Sequence, residues 1–200
     1  MKICGLTRPE DVLFLRELSI DFAGFIFVPG TPRFQDIESV QKLTKLLPPD
    51  LRSVGVFLDE EPAKVRKAAE ICGLDILQFH GRETPEYCSQ FGLPYFKVIR
   101  ITGAIDVELL TGYHPEAFLL DTFSKENAGG TGRTFDWTVA RRVIQSGTRV
   151  ILAGGLNPKN VARAIREVHP WGVDVSSGVE IAPGVKDHDK MRQFIEAARS

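Results

Sequence analysis

The chain has 200 residues and a mass of 22.2 kDa, enough for one ordinary globular domain or at most two small ones. With 43% hydrophobic and 26% charged residues it has the proportions of a folded chain rather than a disordered one. A net charge of -1 lacks the basic excess of a nucleic-acid binder, and the apolar stretches fall far short of the ~20 residues that cross a bilayer. The opening MKICGLTRPEDV carries charges at 2, 8, 10 and 11 and no apolar core of a signal peptide, so a cytoplasmic chain with no membrane or nucleic-acid partner is expected. Cys4, Cys72 and Cys88 are odd in number and widely spaced, which disfavours both structural zinc and a disulfide framework. Only three Asn and two Met, with Arg exceeding Lys, resemble a thermophile composition. That bias raises the expectation of a homodimer, although no interface is visible in the sequence.

Along the chain, short apolar runs alternate with stretches of helical periodicity. The runs are Met1–Cys4, Phe22–Phe27, Ser53–Leu58, Asp75–Phe79, Tyr95–Ile101, Ala117–Asp121, Arg149–Ala153 and Gly172–Val175. Their length and Val, Ile, Leu and Phe content predict strands, and their near-continuous apolarity predicts burial on both faces, as in a parallel sheet. Between them, Pro9 to Leu18, Glu38–Leu47, Glu61–Ile71, a stretch opened by Thr84-Pro85-Glu86, Asp106–Leu110, Asp136–Ile144, Asn157–Val168 and His188–Ala198 are predicted helices. Thr84 is the expected N-cap of its helix, with Pro85 at the first helical position.

Successive strand ends are separated by 23, 31, 21, 21, 21, 32 and 22 residues. A step of 21–23 is about the least that holds a strand, a helix and two tight turns. This regularity predicts a single-domain (β/α)8 TIM barrel, a closed parallel eight-stranded sheet over residues 1–200. An open doubly wound sheet would want a Gly-rich turn such as GxGxxG after its first strand, and Cys4-Gly5-Leu6-Thr7-Arg8-Pro9 is not that. The two long steps place extra length in the loops after strands 2 and 6. In a barrel, reactive groups belong at the C-terminal strand ends.

Cys4 closes the first strand at that rim, and two readings stay open for it: an inert core thiol, or a nucleophile or base if a cation or helix N-terminus lowers its pKa. Cys72 and Cys88 fall in helices and read as core. Asp121 closes an apolar strand, where a carboxylate is costly unless paired or functional; it could act as an acid opposite Cys4, with Thr122 orienting it. Arg33, in a loop stiffened by Pro29 and Pro32, suits bidentate capture of a carboxylate. His80 is a substrate-side or structural histidine, and Arg100 closes strand 5 with its role open. Gly154-Gly155 and Ser176-Ser177-Gly178 end strands 7 and 8, the usual phosphate site of this fold. The segment Ala128–Arg133 adds a Gly-rich stretch that suits a lid or further phosphate contacts.

These residues resemble a known family. Lys2-Ile3-Cys4-Gly5-Leu6-Thr7 looks like the signature of the phosphoribosylanthranilate isomerases. The likeness continues through Thr31-Pro32-Arg33, Leu77-Gln78-Phe79-His80-Gly81, Leu119-Leu120-Asp121, Gly130-Thr131-Gly132, Leu152–Leu156, Gly172–Glu180 and Pro183–Asp187. Thr31 stands where Ser is common and Phe79 where Leu is common. The resemblance implies an Amadori rearrangement of N-(5-phosphoribosyl)anthranilate to 1-(2-carboxyphenylamino)-1-deoxyribulose 5-phosphate in tryptophan biosynthesis. It implies Asp121 as acid, Cys4 as base, Arg33 on the anthranilate carboxylate and the Gly154-Gly155 and Ser176–Gly178 turns on the phosphate, with no metal or redox cofactor. Asp121 must be protonated when it acts, against ~3.9 for a free carboxyl, and Cys4 deprotonated, against ~8.5; a helix following Gly5-Leu6-Thr7 is expected to help the thiolate. An indoleglycerol-phosphate synthase or Schiff-base aldolase would need a catalytic Lys, and neither Lys2 nor Lys97 closes its strand with a partner Glu. A non-catalytic phosphate-binding barrel would need neither Cys4 nor Asp121.

Overall fold

The computed structural model describes residues 1–101, 110–121, 137–145 and 147–200. Eight strands run parallel in chain order: β1 (Lys2–Cys4), β2 (Phe22–Ile26), β3 (Arg52–Phe57), β4 (Ile76–Phe79), β5 (Tyr95–Arg100), β6 (Ala117–Asp121), β7 (Val150–Ala153) and β8 (Gly172–Val175). β8 pairs with β1, Ile3 opposite Val175, and closes the barrel as the strand spacing predicts. Helices α1 (Pro9–Phe14), α2 (Ile37–Thr44), α3 (Pro62–Cys72), α4 (Pro85–Ser89), α5 (Thr138–Gln145), α6 (Val161–Val168) and α7 (His188–Arg199) fall between or after the strands.

Local chemistry sets these boundaries. Pro opens α1, α3 and α4, where its missing N–H costs nothing. Thr84 caps α4 as expected, accepting a hydrogen bond from the Tyr87 amide at 3.3 Å, while Asp36 and Asp187 cap α2 and α7. Three helices are shorter than periodicity predicts; α2 stops at Thr44 rather than Leu47. α1 tightens into a 3₁₀ turn at Leu15–Glu17. α6 begins at Val161 rather than Asn157, because Asn160 Oδ1 accepts from the Asn157 amide and Asn157 Oδ1 from the Lys159 amide, holding the segment as a turn. A small hairpin, β9 (Glu180–Ala182) with β10 (Val185–Lys186), was not predicted. Thr122, Ala128–Arg133, Asp136 and most of the predicted 106–110 helix lie outside the described residues.

The strands are buried on both faces, which is why their sequences do not alternate. Phe22, Val54, Ile76, Phe96, Leu119 and Ile151 fill the barrel interior. Ile3, Phe25, Leu77, Phe79, Leu120 and Val173 belong to the outer core with helix residues such as Val12, Val65, Val161 and Phe194. Each such large side chain contributes about 1.5–3 kcal/mol on burial. Lys2 and Asp174 are also buried, bonded to each other at 2.9 Å.

Candidate active site

The parallel register delivers the ends of all eight strands to one rim. Cys4 lies level with Gly24, and Asp121 with Arg100 and Ala153. The rim opens into a cavity of about 220 Å³. Cys4, His80, Asp121, Gly154, Gly155, Ser176 and Ser177 line it together, against an apolar wall that includes Ile26, Val56 and Leu119. Arg33 and Gly178, also expected at the site, do not line it.

Both have clear places beside it. The loop after β2 folds back on that strand: the Gln35 amide donates to Ile26 O at 2.9 Å. This lays Arg33 over Gly5, where an added Cβ would come within 2.5 Å of Arg33 Cδ. The guanidinium is forked on Glu180, Nε to Oε1 at 2.8 Å and NH2 to Oε2 at 2.5 Å. Its NH1 edge makes no hydrogen bond within the protein among the described residues. Gly178 joins the two expected phosphate turns, because a Cβ there would sit 1.9 Å from Leu156 O. Gly154 and Gly155 both hold positive φ, +84° and +68°, a conformation that L side chains rarely adopt.

The electrostatics correct one expectation. α1 starts only at Pro9, five residues beyond Cys4. Burial instead pushes the Cys4 thiol above its ordinary pKa, while the neighbouring Lys2 ammonium pulls it down, Asp174 pushes it further up and Lys186 pulls it down. The resting thiol is therefore protonated at neutral pH, and Lys2 is the principal cation available to a thiolate. Burial works against the Lys2 charge too, but Asp174, helped by Cys4, raises its pKa overall. At the other side of the mouth His80 Nε2 stands 3.4 Å from Asp121 Oδ2, the outer edge of hydrogen-bond reach.

A second buried network holds the Cys4 backbone. Lys186 Nζ donates to Cys4 O at 2.6 Å, Ser176 O at 3.2 Å and Glu180 Oε1 at 2.8 Å. Burial lowers the Lys186 pKa against the pull of Glu180. Burial works against the Glu180 carboxylate, but Arg33 and Lys186 more than offset it and its pKa falls. Lys97 does have a partner Glu: Glu83, at 2.7 Å. That pair bonds the Gly81 backbone and does not line the cavity, so it offers no Schiff-base lysine. Cys72 and Cys88 are buried thiols pushed up to about 11 and about 12 by burial, as core residues would be.

Sequence reasoning missed Lys2, Gln78, Asp174, Glu180 and Lys186. A Lys and an Asp inside apolar strands were the available signals for Lys2 and Asp174, since neither is stable there unpaired.

The likeness to known proteins covers the whole of this geometry. The family model described as N-(5'phosphoribosyl)anthranilate (PRA) isomerase matches residues 1–197. The N-(5'-phosphoribosyl)anthranilate isomerase of Pelobacter propionicus is 44% identical over 199 residues, covering 100% of this chain and 95% of that one. A crystal structure of monomers generated from the dimeric phosphoribosylanthranilate isomerase of Thermotoga maritima superposes with a TM-score of 0.87 at 38% identity, covering 99% and 97%. A phosphoribosyl anthranilate isomerase in complex with reduced 1-(o-carboxyphenylamino)-1-deoxyribulose 5-phosphate gives 0.88 at 38% identity, again covering 99% and 97%. With barrel, rim cavity and full-length identity in agreement, the chain belongs to the N-(5'-phosphoribosyl)anthranilate isomerase family.

Proposed function

We propose that the chain performs its family's isomerisation of N-(5'-phosphoribosyl)anthranilate, a step of tryptophan biosynthesis, with Asp121 as general acid and Cys4 as general base. The observation that carries this reading is the convergence of Cys4, Asp121 and the Gly154-Gly155 and Ser176-Ser177 turns on one cavity. Asp121 protonates the ribose ring oxygen as the C1–O bond breaks, and the nitrogen lone pair forms an iminium. The minor thiolate form of Cys4, which the Lys2 ammonium favours, removes the C2 proton, and the C–H electrons become the C1–C2 double bond of an enolamine. Tautomerisation gives the C2 ketone. Only protons move between groups, so no external oxidant or reductant is consumed. Each acid–base role contributes typically about 10²–10⁴-fold.

The turns after β7 and β8 would hold the phosphate through backbone N–H groups, and His80 would steady the acid. Arg33 would meet the anthranilate carboxylate with its NH1 edge while Glu180 keeps the other edge fixed. We read residues 1–200 as one barrel domain acting in the cytoplasm on a small phosphorylated substrate. A homodimer is the expected assembly, supported by the dimeric Thermotoga relative. Among the described residues no helix is long and apolar enough to cross a membrane.

The test is the fluorescence assay that follows loss of phosphoribosylanthranilate. Cys4→Ala and Asp121→Asn should each lower kcat by about 10²-fold or more while the reduced product analogue still binds. Near-wild-type kcat in either variant refutes its role. A wild-type protein that binds the analogue without turnover would be the non-catalytic barrel.

A further inference from the structure

Among the described residues, two buried side-chain polar atoms have no hydrogen-bond partner, Gln78 Oε1 and Ser176 Oγ. Both residues line the rim cavity. Ser176 belongs to the phosphate turns discussed above. Gln78 has no role in the reaction as described so far. It sits on β4, level with Val56 of β3 and Phe96 of β5, and is 2% exposed. A buried acceptor without a donor costs free energy that an apolar residue of the same length would not. Native proteins hold such groups where water, an ion or a ligand completes them, and at functional sites.

Position and chemistry narrow the donor, given the proposed reaction. In the closed barrel order β4 lies opposite β8. A substrate whose phosphate rests on the turns after β7 and β8, and whose sugar carbons meet Asp121 on β6 and Cys4 on β1, extends its arylamine end toward the β2–β4 side. Arg33 enters from the loop after β2, and its side chain crosses Gly5 to reach Glu180. The carboxylate of the arylamine has no proton to give, whereas its nitrogen carries N–H. When the C1–O bond breaks, that N–H becomes part of a cation, and a hydrogen bond from it becomes charge-assisted and stronger. An amide also suits this place because it does not titrate and cannot compete with Cys4 for the C2 proton.

We propose that Gln78 positions the substrate, its Oε1 accepting a hydrogen bond from the anilino N–H, a contact that tightens as the iminium forms. It rests on the reaction proposed above. Because the bond strengthens in the transition state, its loss falls on kcat more than on KM.

Gln78→Met keeps the length and removes the acceptor. The expected result is kcat reduced about tenfold or more, KM changed less than about threefold, and Tm unchanged or raised. A second arm compares two inhibitors, the reduced product analogue and its ether counterpart with oxygen in place of N–H. Wild type should favour the amine, and Gln78→Met should lose that preference. The proposal is overturned if wild type turns over substrate and Gln78→Met matches it in kcat. It is also overturned if both inhibitors lose affinity equally, which would put a sugar hydroxyl on Gln78, or if Gln78→Met lowers Tm and kcat while the amine preference stays. Absence of turnover by wild type would instead sink the parent reaction, and the inhibitor comparison would still judge the contact.

Discussion

Lys2 is the first charge in the chain to be fully enclosed, and replacing it measures what holds the interior together. Lys2→Met preserves length and most of the packing but leaves Asp174, at 9% exposure, without the partner that stands 2.9 Å away. Breaking a buried pair from one side costs about 3–5 kcal/mol, because the remaining charge is stranded, whereas replacing both members by apolar groups is often close to neutral. At about 2.1 cal/mol/K of unfolding entropy per residue, a 200-residue chain loses roughly 7–12 °C of Tm for that cost. The double variant Lys2→Met/Asp174→Leu should recover more than half of the loss. Urea unfolding followed by tryptophan fluorescence and circular dichroism, with calorimetry for Tm, gives all four corners of the cycle. The reasoning fails if Lys2→Met costs less than about 1 kcal/mol, or if the double variant shows the sum of the two single losses. Either result would mean that the pair is solvated or that its members act independently.

Gly178→Ala places a Cβ 1.9 Å from Leu156 O and must drive the turns after β7 and β8 apart. The expected outcome is a rise of about tenfold or more in KM and in the inhibition constant of inorganic phosphate; unchanged steady-state kinetics would remove these turns from phosphate binding. The alkaline limb of stability is a separate test. The folded pKa values of Cys72 and Cys88, about 11 and about 12, lie above those of an unfolded thiol, ~8.5. Their contribution is therefore fully present below pH ~8.5 and is lost as pH rises toward and through the folded values, at up to about 1.4 kcal/mol per pH unit for each thiol. Urea midpoints of Cys72→Ala/Cys88→Ala should fall less steeply than wild type between pH 8.5 and 10.5, whatever constant offset the lost methylene packing adds; parallel curves would show that the thiols already titrate normally.

The barrel was legible because its strands are short, continuous and evenly spaced, so local composition carried the topology. Cys4 and Asp121 were legible as rim residues because each closes an apolar run, and both do line the cavity. Lys2 and Gln78 were not, since one polar residue inside such a run reads equally well as tolerated or functional until its neighbours across the barrel are known. The fork between Arg33 and Glu180 spans 147 residues and has no local signature. The same holds for Cys4: a following helix suggested an acidified thiol, while the enclosure that raises its pKa is a property of the assembled rim. Helix α6 was misjudged at its start because two asparagine side chains compete with the helix for backbone N–H groups.

The Lys186 ammonium takes the carbonyl of Cys4 from 182 residues downstream. Cys4 thus stands on β1 and its brace beyond β8, so Lys186 adds a side-chain clasp to a seam that strand pairing and the Lys2–Asp174 pair already join. During synthesis the strand that ends in Asp121 and the turn of His80 emerge well before that brace exists. A nascent chain that stops short of residue 186 carries the cysteine without the lysine that anchors its backbone.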